Sequence, residues 1–247
     1  MTAFEAPAAP PIVDRVTWKR EREALLAREK AHTREGDALA AARRRLPMTE
    51  VDPKATLLGD DGPTPLLEIF QGRDQLIAYK HMWHDRKPFE QQCPGCTISM
   101  WNFHDASYLQ ARGISFAVFC EGPWDQVRPF RDFMGYTVPW YSVHGVEDSC
   151  VAGGLVDDRG LISCYLRQGD RVFLTNETVN RGVEIIIPSL KLIDMTVYGR
   201  QETWEDSPEG WPQGPKGALW YTDGRPTPQW TRPGVAAVAE DSGKACH

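Results

Sequence analysis

The spacing with the most chemistry in it is Cys93-Pro94-Gly95-Cys96, two thiols three positions apart. Pro94 suits the first position of a helix, where its missing N–H costs nothing because that donor has no intrahelical partner. A helix starting there sets the Cys93 sulfur over unpaired backbone N–H groups, which favour the thiolate and lower its pKa. The Cys96 sulfur follows about one turn later, within reach of a disulfide. Cys93 is then the attacking thiolate and Cys96 the thiol that resolves the mixed disulfide. Half of a structural zinc site is the competing reading, and it needs a second matched pair. Cys120, Cys150 and Cys164 are scattered, with no second pair at that spacing.

Just upstream stands His81-Met82-Trp83-His84. In a regular strand, residues three apart point to opposite faces. Both histidines can face the cysteines only if a strand ends between them. In that case His81, His84, Cys93 and Cys96 form a mixed nitrogen–sulfur set that suits copper, with zinc the less favoured ion. Alternatively one histidine tunes the Cys93 thiolate or relays a proton. Each histidine alone reads equally well as a surface or packed residue. His104 reads as structural, and His144 as a weak candidate for a neighbour of the site.

These groups need elements to hold them. Residues 75–79 read as a buried strand, and a loop leads to Cys93. The helix from Pro94 can bury Ile98, Trp101 and Leu109. Residues 114–119 form a second strand, 126–134 a helix ended by Gly135, and 138–142 a short extended piece. Residues 161–167 and 171–175 read as a hairpin with a three-residue connection. A closing helix over 185–196 has Pro188 near its start.

The order is strand, CxxC, helix, strand, helix, strand, hairpin, helix. A reactive group where a strand's C-terminal end meets a helix is the usual place for a site in α/β sheets. This order predicts a thioredoxin-like α/β fold, with a central mixed sheet flanked by helices. In that fold a cis-proline usually stands before the hairpin, opposite the cysteines. Here Asp158-Arg159-Gly160 precedes Leu161 and there is no proline. The pattern looks like the peroxiredoxin-like branch, in which Arg159 would steady an oxyanion or a thiolate. An ordinary turn arginine is the other reading.

Outside this core, residues 1–13 read as a disordered lead. Residues 14–47 form a helical extension rich in Arg, Lys, Glu, Ala and Leu, with Gly36 as an expected interruption and Pro47 as the stop. It would pack on the main domain or mediate a homodimer. The thioredoxin-like domain spans 48–211. Residues 212–247 read as irregular or disordered, and Trp204, Trp211 and Trp220 as flaps over a small core, with a lid over a pocket as the other reading.

The net charge of −6 at pH 7 argues against nucleic acid, which needs concentrated positive charge. No run reaches the roughly 18 apolar residues of a spanning helix, and no membrane partner is expected. The start of the chain lacks a basic residue followed by an apolar run, so a cytoplasmic location is expected. Six cysteines in 247 residues do not make a disulfide scaffold, and a reducing compartment points the close pair to catalysis or metal. The expected partner is a small-molecule or protein thiol or disulfide. A non-enzymatic interaction module built on the N-terminal helix is a further alternative.

Four stretches resemble the DUF899 family of thioredoxin-like bacterial proteins. They are Ala41-Ala42-Arg43-Arg44-Arg45-Leu46-Pro47, the strand with its CPGC motif, Phe133-Met134-Gly135-Tyr136-Thr137-Val138-Pro139-Trp140, and Cys164-Tyr165-Leu166-Arg167-Gln168-Gly169-Asp170 leading to Asp194-Met195-Thr196. The resemblance covers most of residues 14–212. It implies the thioredoxin-like fold and the paired cysteines, and it leaves the activity open. Many members carry a Phe-Met-Phe-Gly-Pro type segment after the first strand. His81-Met82-Trp83-His84 departs from it and adds weight to a metal.

Overall fold

The structure is a computed structural model, and it describes residues 8–147, 151, 161–214 and 220–237. Helix α1 (Arg15–Arg43) opens the described architecture. The Asp14 carboxylate caps it, accepting from the Val16 and Thr17 N–H groups at 2.9 and 3.0 Å. Such a cap satisfies donors that the first turn leaves unpaired. The expected break at Gly36 does not occur. A single glycine costs about 1 kcal/mol in a helix, and the alanines that follow it are the best helix formers. No α1 residue is buried, so the expected packing of this helix onto the domain is not seen. Val16, Leu25 and Leu39 stay exposed.

An eight-stranded mixed sheet forms the body. Its centre is β4 (Gln75–His81). Strand β5 (Ile114–Cys120) runs parallel to β4, and β6 (Trp140–Ser142) parallel to β5. On the other side β7 (Ile162–Gln168) pairs antiparallel with β4, and β8 (Arg171–Thr178) with β7. Gly169, at a φ of +63°, makes the turn between these two strands, one residue tighter than expected. The edges are extended by β1 (Thr49–Val51) on β8, and by the hairpin of β2 (Thr56–Gly59) and β3 (Gly62–Pro65) on β6.

Alternation along the central strands divides the core in two. Leu76 and Ala78 of β4, with Ala117 and Phe119 of β5, face one cluster under α2 (Leu66–Ile69). Tyr79 of β4, with Phe116, Val118 and Cys120 of β5, faces the other. That second cluster is covered by α3 (Pro94–Asn102) and α5 (Trp124–Met134). Gly135 ends α5 in the left-handed conformation, as residues 126–135 predict. After β8 the chain forms a 3₁₀ turn (Asn180–Ile186) and a short helix, α6 (Pro188–Ile193), in place of one longer closing helix. Pro188 accounts for the division, because it has no N–H to continue the preceding turn. The short helix α4 (Ser107–Gln110) leads into β5. The sheet order, with a helix opening at Cys93 after the central strand, is the thioredoxin-like α/β fold.

The C-terminal segment departs most from expectation. Strands β9 (Tyr221–Thr222) and β10 (Arg225–Pro226) form a hairpin, followed by a 3₁₀ turn (Thr227–Thr231). Asp223 and Gly224 both have positive φ, the conformation of a type I′ turn. This strap is tied to the domain. Buried Gln229 donates to the Phe89 carbonyl at 2.7 Å, and Arg232 Nε to the Phe133 carbonyl at 2.8 Å. Residues 1–7, 215–219 and 238–247 of the expected lead and tail lie outside the described residues.

Candidate functional site

The segment entering the CxxC motif is pinned before it turns into α3. Buried Gln92 accepts from the His84 N–H at 3.0 Å and donates to the His84 and Lys87 carbonyls at 2.9 and 3.0 Å. Gln126 of α5 holds the same loop, accepting from the Trp83 indole and the Arg86 N–H. Helix α3 then opens at Pro94 with Cys93 as its N-cap, as the spacing predicts. The Cys93 sulfur accepts from the Cys96 N–H at 3.4 Å. Its charge, when ionised, meets the positive end of a nine-residue helix.

Both cysteines are buried, and both are thiols. They floor a cavity of about 590 Å³ with Tyr79 and Met82 of the strand end. The Met82 N–H points at the Cys96 sulfur at 3.4 Å, and the Met82 thioether lies 3.9 Å from the Cys93 sulfur. The Tyr79 phenol hydrogen-bonds to the Cys96 and Ser99 side chains. Burial raises the Tyr79 pKa well above the usual phenol value, and charge on Cys96 and Cys93 raises it further. It is therefore a neutral O–H donor beside the sulfurs at any ordinary pH. Trp220 of the strap roofs the motif. Its ring occupies the place where a Cβ on Gly95 would stand, so the motif's third residue is glycine because an indole needs the space.

The strand does end between His81 and His84, yet neither lines the cavity. His81 is fully buried, with its ring centroid 5.0 Å from Trp140 and 5.7 Å from Phe130. Its Nδ1 is 2.7 Å from the Met82 carbonyl, which makes Nδ1 the protonated nitrogen and leaves Nε2 an acceptor with no hydrogen bond. Burial pushes its pKa down to about 4, so the ring is neutral. The His84 backbone is bound up with Gln92. Among the described residues no three His, Cys, Asp or Glu side chains converge to hold a metal. The expected set of His81, His84, Cys93 and Cys96 is therefore not assembled. The alternation of β4 sends His81 into the aromatic core, where its N–H is satisfied by its own chain. His104 packs its ring on Trp101, and His144 points to the Glu121 carbonyl in a separate groove. Arg159 lies outside the described residues, as do Cys150 and Cys246.

A family model described as a bacterial protein of unknown function, DUF899, matches residues 7–223. The chain belongs to the DUF899 family. No curated protein matches it. Among solved structures it is similar to a protein assigned as a thiol:disulfide interchange protein DsbE from Chlorobium tepidum. The identity is 14%, over 60% of this chain and 97% of that one, with a TM-score of 0.38. It is also similar to a mutant of Xanthomonas campestris peroxiredoxin Q, at 16% identity over 60% of this chain and 97% of that one, with a TM-score of 0.38. Peroxidoxin BcpB from Mycobacterium tuberculosis is 16% identical over 56% and 92% of the two chains, with a TM-score of 0.33.

One wall of the DUF899 cavity is ionic. Arg200, 3% exposed, donates twice to Glu184 at 2.9 Å, and to both Asp194 oxygens at 2.6 and 2.9 Å. Arg181 adds a 2.8 Å bond to Glu184. These bonds hold the Glu184 carboxyl at about 2, well below its usual range. Trp204 lies under the Arg181 guanidinium at 4.3 Å and donates its indole N–H to Glu202. Sequence reasoning missed Tyr79, Met82, Arg200 and Glu184. Tyr79 was within reach, since it stands two residues before His81 and so shares its face of the strand. Trp204, expected as a flap over a small core, lines the cavity instead, and Trp220 covers the cysteines.

Proposed function

We propose that this DUF899 protein is a thiol oxidoreductase that cycles the Cys93–Cys96 pair on a small-molecule disulfide or peroxide. The observation that carries the reading is the Cys93 sulfur at the helix N-cap, accepting an N–H bond at the floor of a cavity. With a disulfide substrate, the Cys93 thiolate attacks one sulfur. A mixed disulfide forms and the other half leaves as a thiolate that takes a proton. Cys96 then attacks the Cys93 sulfur and releases the second half as a thiol. The substrate gains two electrons and the protein is left as the Cys93–Cys96 disulfide, which an external dithiol reduces. With a peroxide, Cys93 takes one oxygen as a sulfenic acid and releases water or an alcohol. Cys96 condenses with it and expels water.

The Tyr79 O–H and the Met82 N–H both aim at Cys96. They support a role in holding charge on the resolving sulfur. The indole roof over Gly95 favours a small substrate over a protein loop.

Turnover of an aromatic disulfide and of hydrogen peroxide, with a dithiol as reductant, tests the reading. Cys93→Ser is expected to reduce turnover to background. Cys96→Ser is expected to accumulate the mixed disulfide, visible as an added mass on the intact chain. Full activity in both variants would overturn it.

A further inference from the structure

Three sulfurs meet at the cavity floor, and disulfide cycling uses only two of them. Met82 comes from the end of the central strand, while Cys93 and Cys96 come from the start of α3. All three line the cavity. The thioether of Met82 stands 3.9 Å from the Cys93 sulfur. A metal–sulfur bond is about 2.3 Å, so a flat three-coordinate centre needs its sulfurs about 4 Å apart. The Met82–Cys93 separation meets that spacing. We propose that the reduced protein binds one Cu(I) ion through the sulfurs of Cys93, Cys96 and Met82.

The chemistry of the donors selects the ion. Thiolate and thioether ligands are soft and favour Cu(I), whereas Mg, Ca and Mn take oxygen ligands. Structural zinc takes four ligands in a tetrahedron. Among the described residues no third His, Cys, Asp or Glu joins the two cysteines to build one. The floor also carries the hydrogen bonds that orient ligands and steady their charge. The Met82 N–H and the Tyr79 O–H serve Cys96, and the Cys96 N–H serves Cys93. Binding converts two thiols to thiolates and releases two protons, with no change in the oxidation state of copper or sulfur. Since the ion and the disulfide need the same sulfur lone pairs, oxidation of Cys93 and Cys96 expels the metal.

The test uses the full chain, reduced, metal-free and under anaerobic conditions, titrated with Cu(I) against the chromophoric chelator bicinchoninate. One Cu(I) per chain is expected, with an X-ray absorption shell of three sulfurs and no imidazole. Met82→Leu conserves volume and is tolerated in packed sites. With its fold checked by circular dichroism, it is expected to show a two-sulfur shell and at least about tenfold weaker binding. Cys93→Ser is expected to abolish binding. Failure to hold Cu(I) against the chelator, nitrogen in the shell, or unchanged affinity in Met82→Leu would overturn the proposal. Thiol turnover of the metal-free protein is measured separately. Loss of turnover with copper binding intact sinks only the oxidoreductase reading, and the converse sinks only the copper site.

Discussion

The floor and the wall of the cavity bury their polar groups by opposite means. On the wall, Arg200 spends its guanidinium donors on two carboxylates in a closed network. On the floor, the two thiols are held by longer contacts of 3.4 to 3.9 Å from the Cys96 N–H, the Met82 N–H and the Met82 thioether, and by the Tyr79 phenol. A satisfied ionic network fixes a shape and reacts poorly. Long, weak contacts to sulfur over a helix N-terminus cost little stability and leave the sulfur nucleophilic. The wall should therefore matter to folding and the floor to chemistry.

Arg200→Met is the most severe way to probe this contrast. It takes the buried guanidinium from Glu184 and Asp194, which keep only Arg181 and Lys191 at 2.8 to 3.6 Å, and should cost about 1.5–3 kcal/mol. Denaturant unfolding should show that loss, whereas Cys93→Ala should cost no more than about 1 kcal/mol. Equal losses in the two variants would erase the distinction between wall and floor.

The next effect concerns His81, behind the floor. Its folded pKa of about 4 lies below the usual 6.5, so between those values the unfolded chain binds a proton that the native chain refuses. Stability is then full above pH 6.5 and falls as pH drops towards 4, by up to about 3 kcal/mol. His81→Leu should flatten that slope in unfolding midpoints measured across the window. Glu184 acts lower. Its depressed pKa adds stability above about 4.5 that is lost as pH falls towards 2.

Gly95→Ala should expel the Trp220 ring at a cost of about 1–3 kcal/mol, read as a red-shifted indole emission and faster proteolysis of the strap. Unchanged emission would mean that the indole does not rest on the motif. The smallest effect is expected from Glu50→Gln. Arg171 also grips Glu50 through two bonds, at 2.8 Å for both, yet in open solvent. Its Tm should not move measurably, because water and salt screen what burial makes strong.

The strand, the motif and the helix start were legible because each is a local signal. Residues 76–79 are continuous and apolar, Pro94 marks a helix start, and Gly135 marks a helix end. The Arg200 network was not legible. Its partners stand 6 and 16 residues away, across turns with no periodic pattern. The set of His81, His84, Cys93 and Cys96 is not assembled for a related reason. Spacing places side chains along a strand but does not say which hydrogen bond will claim a ring nitrogen. The strap was missed although its signal was present, since Asp223-Gly224 between extended residues is a strong hairpin sign. The surrounding Pro, Gly and Trp looked irregular only while their packing partners, Phe89, Phe133 and Gly95, were unknown.

The Trp220 ring on Gly95 joins two positions 125 residues apart into one steric unit. Neither can change size alone. Across the DUF899 family, a member with a side chain at the equivalent of Gly95 is expected to lack the indole at the equivalent of Trp220, and one that keeps the indole is expected to keep the glycine. An alignment of many members would then show the third letter of the motif co-varying with a residue near the end of the chain, a mark of shared ancestry in the cavity roof that the cysteines alone do not carry.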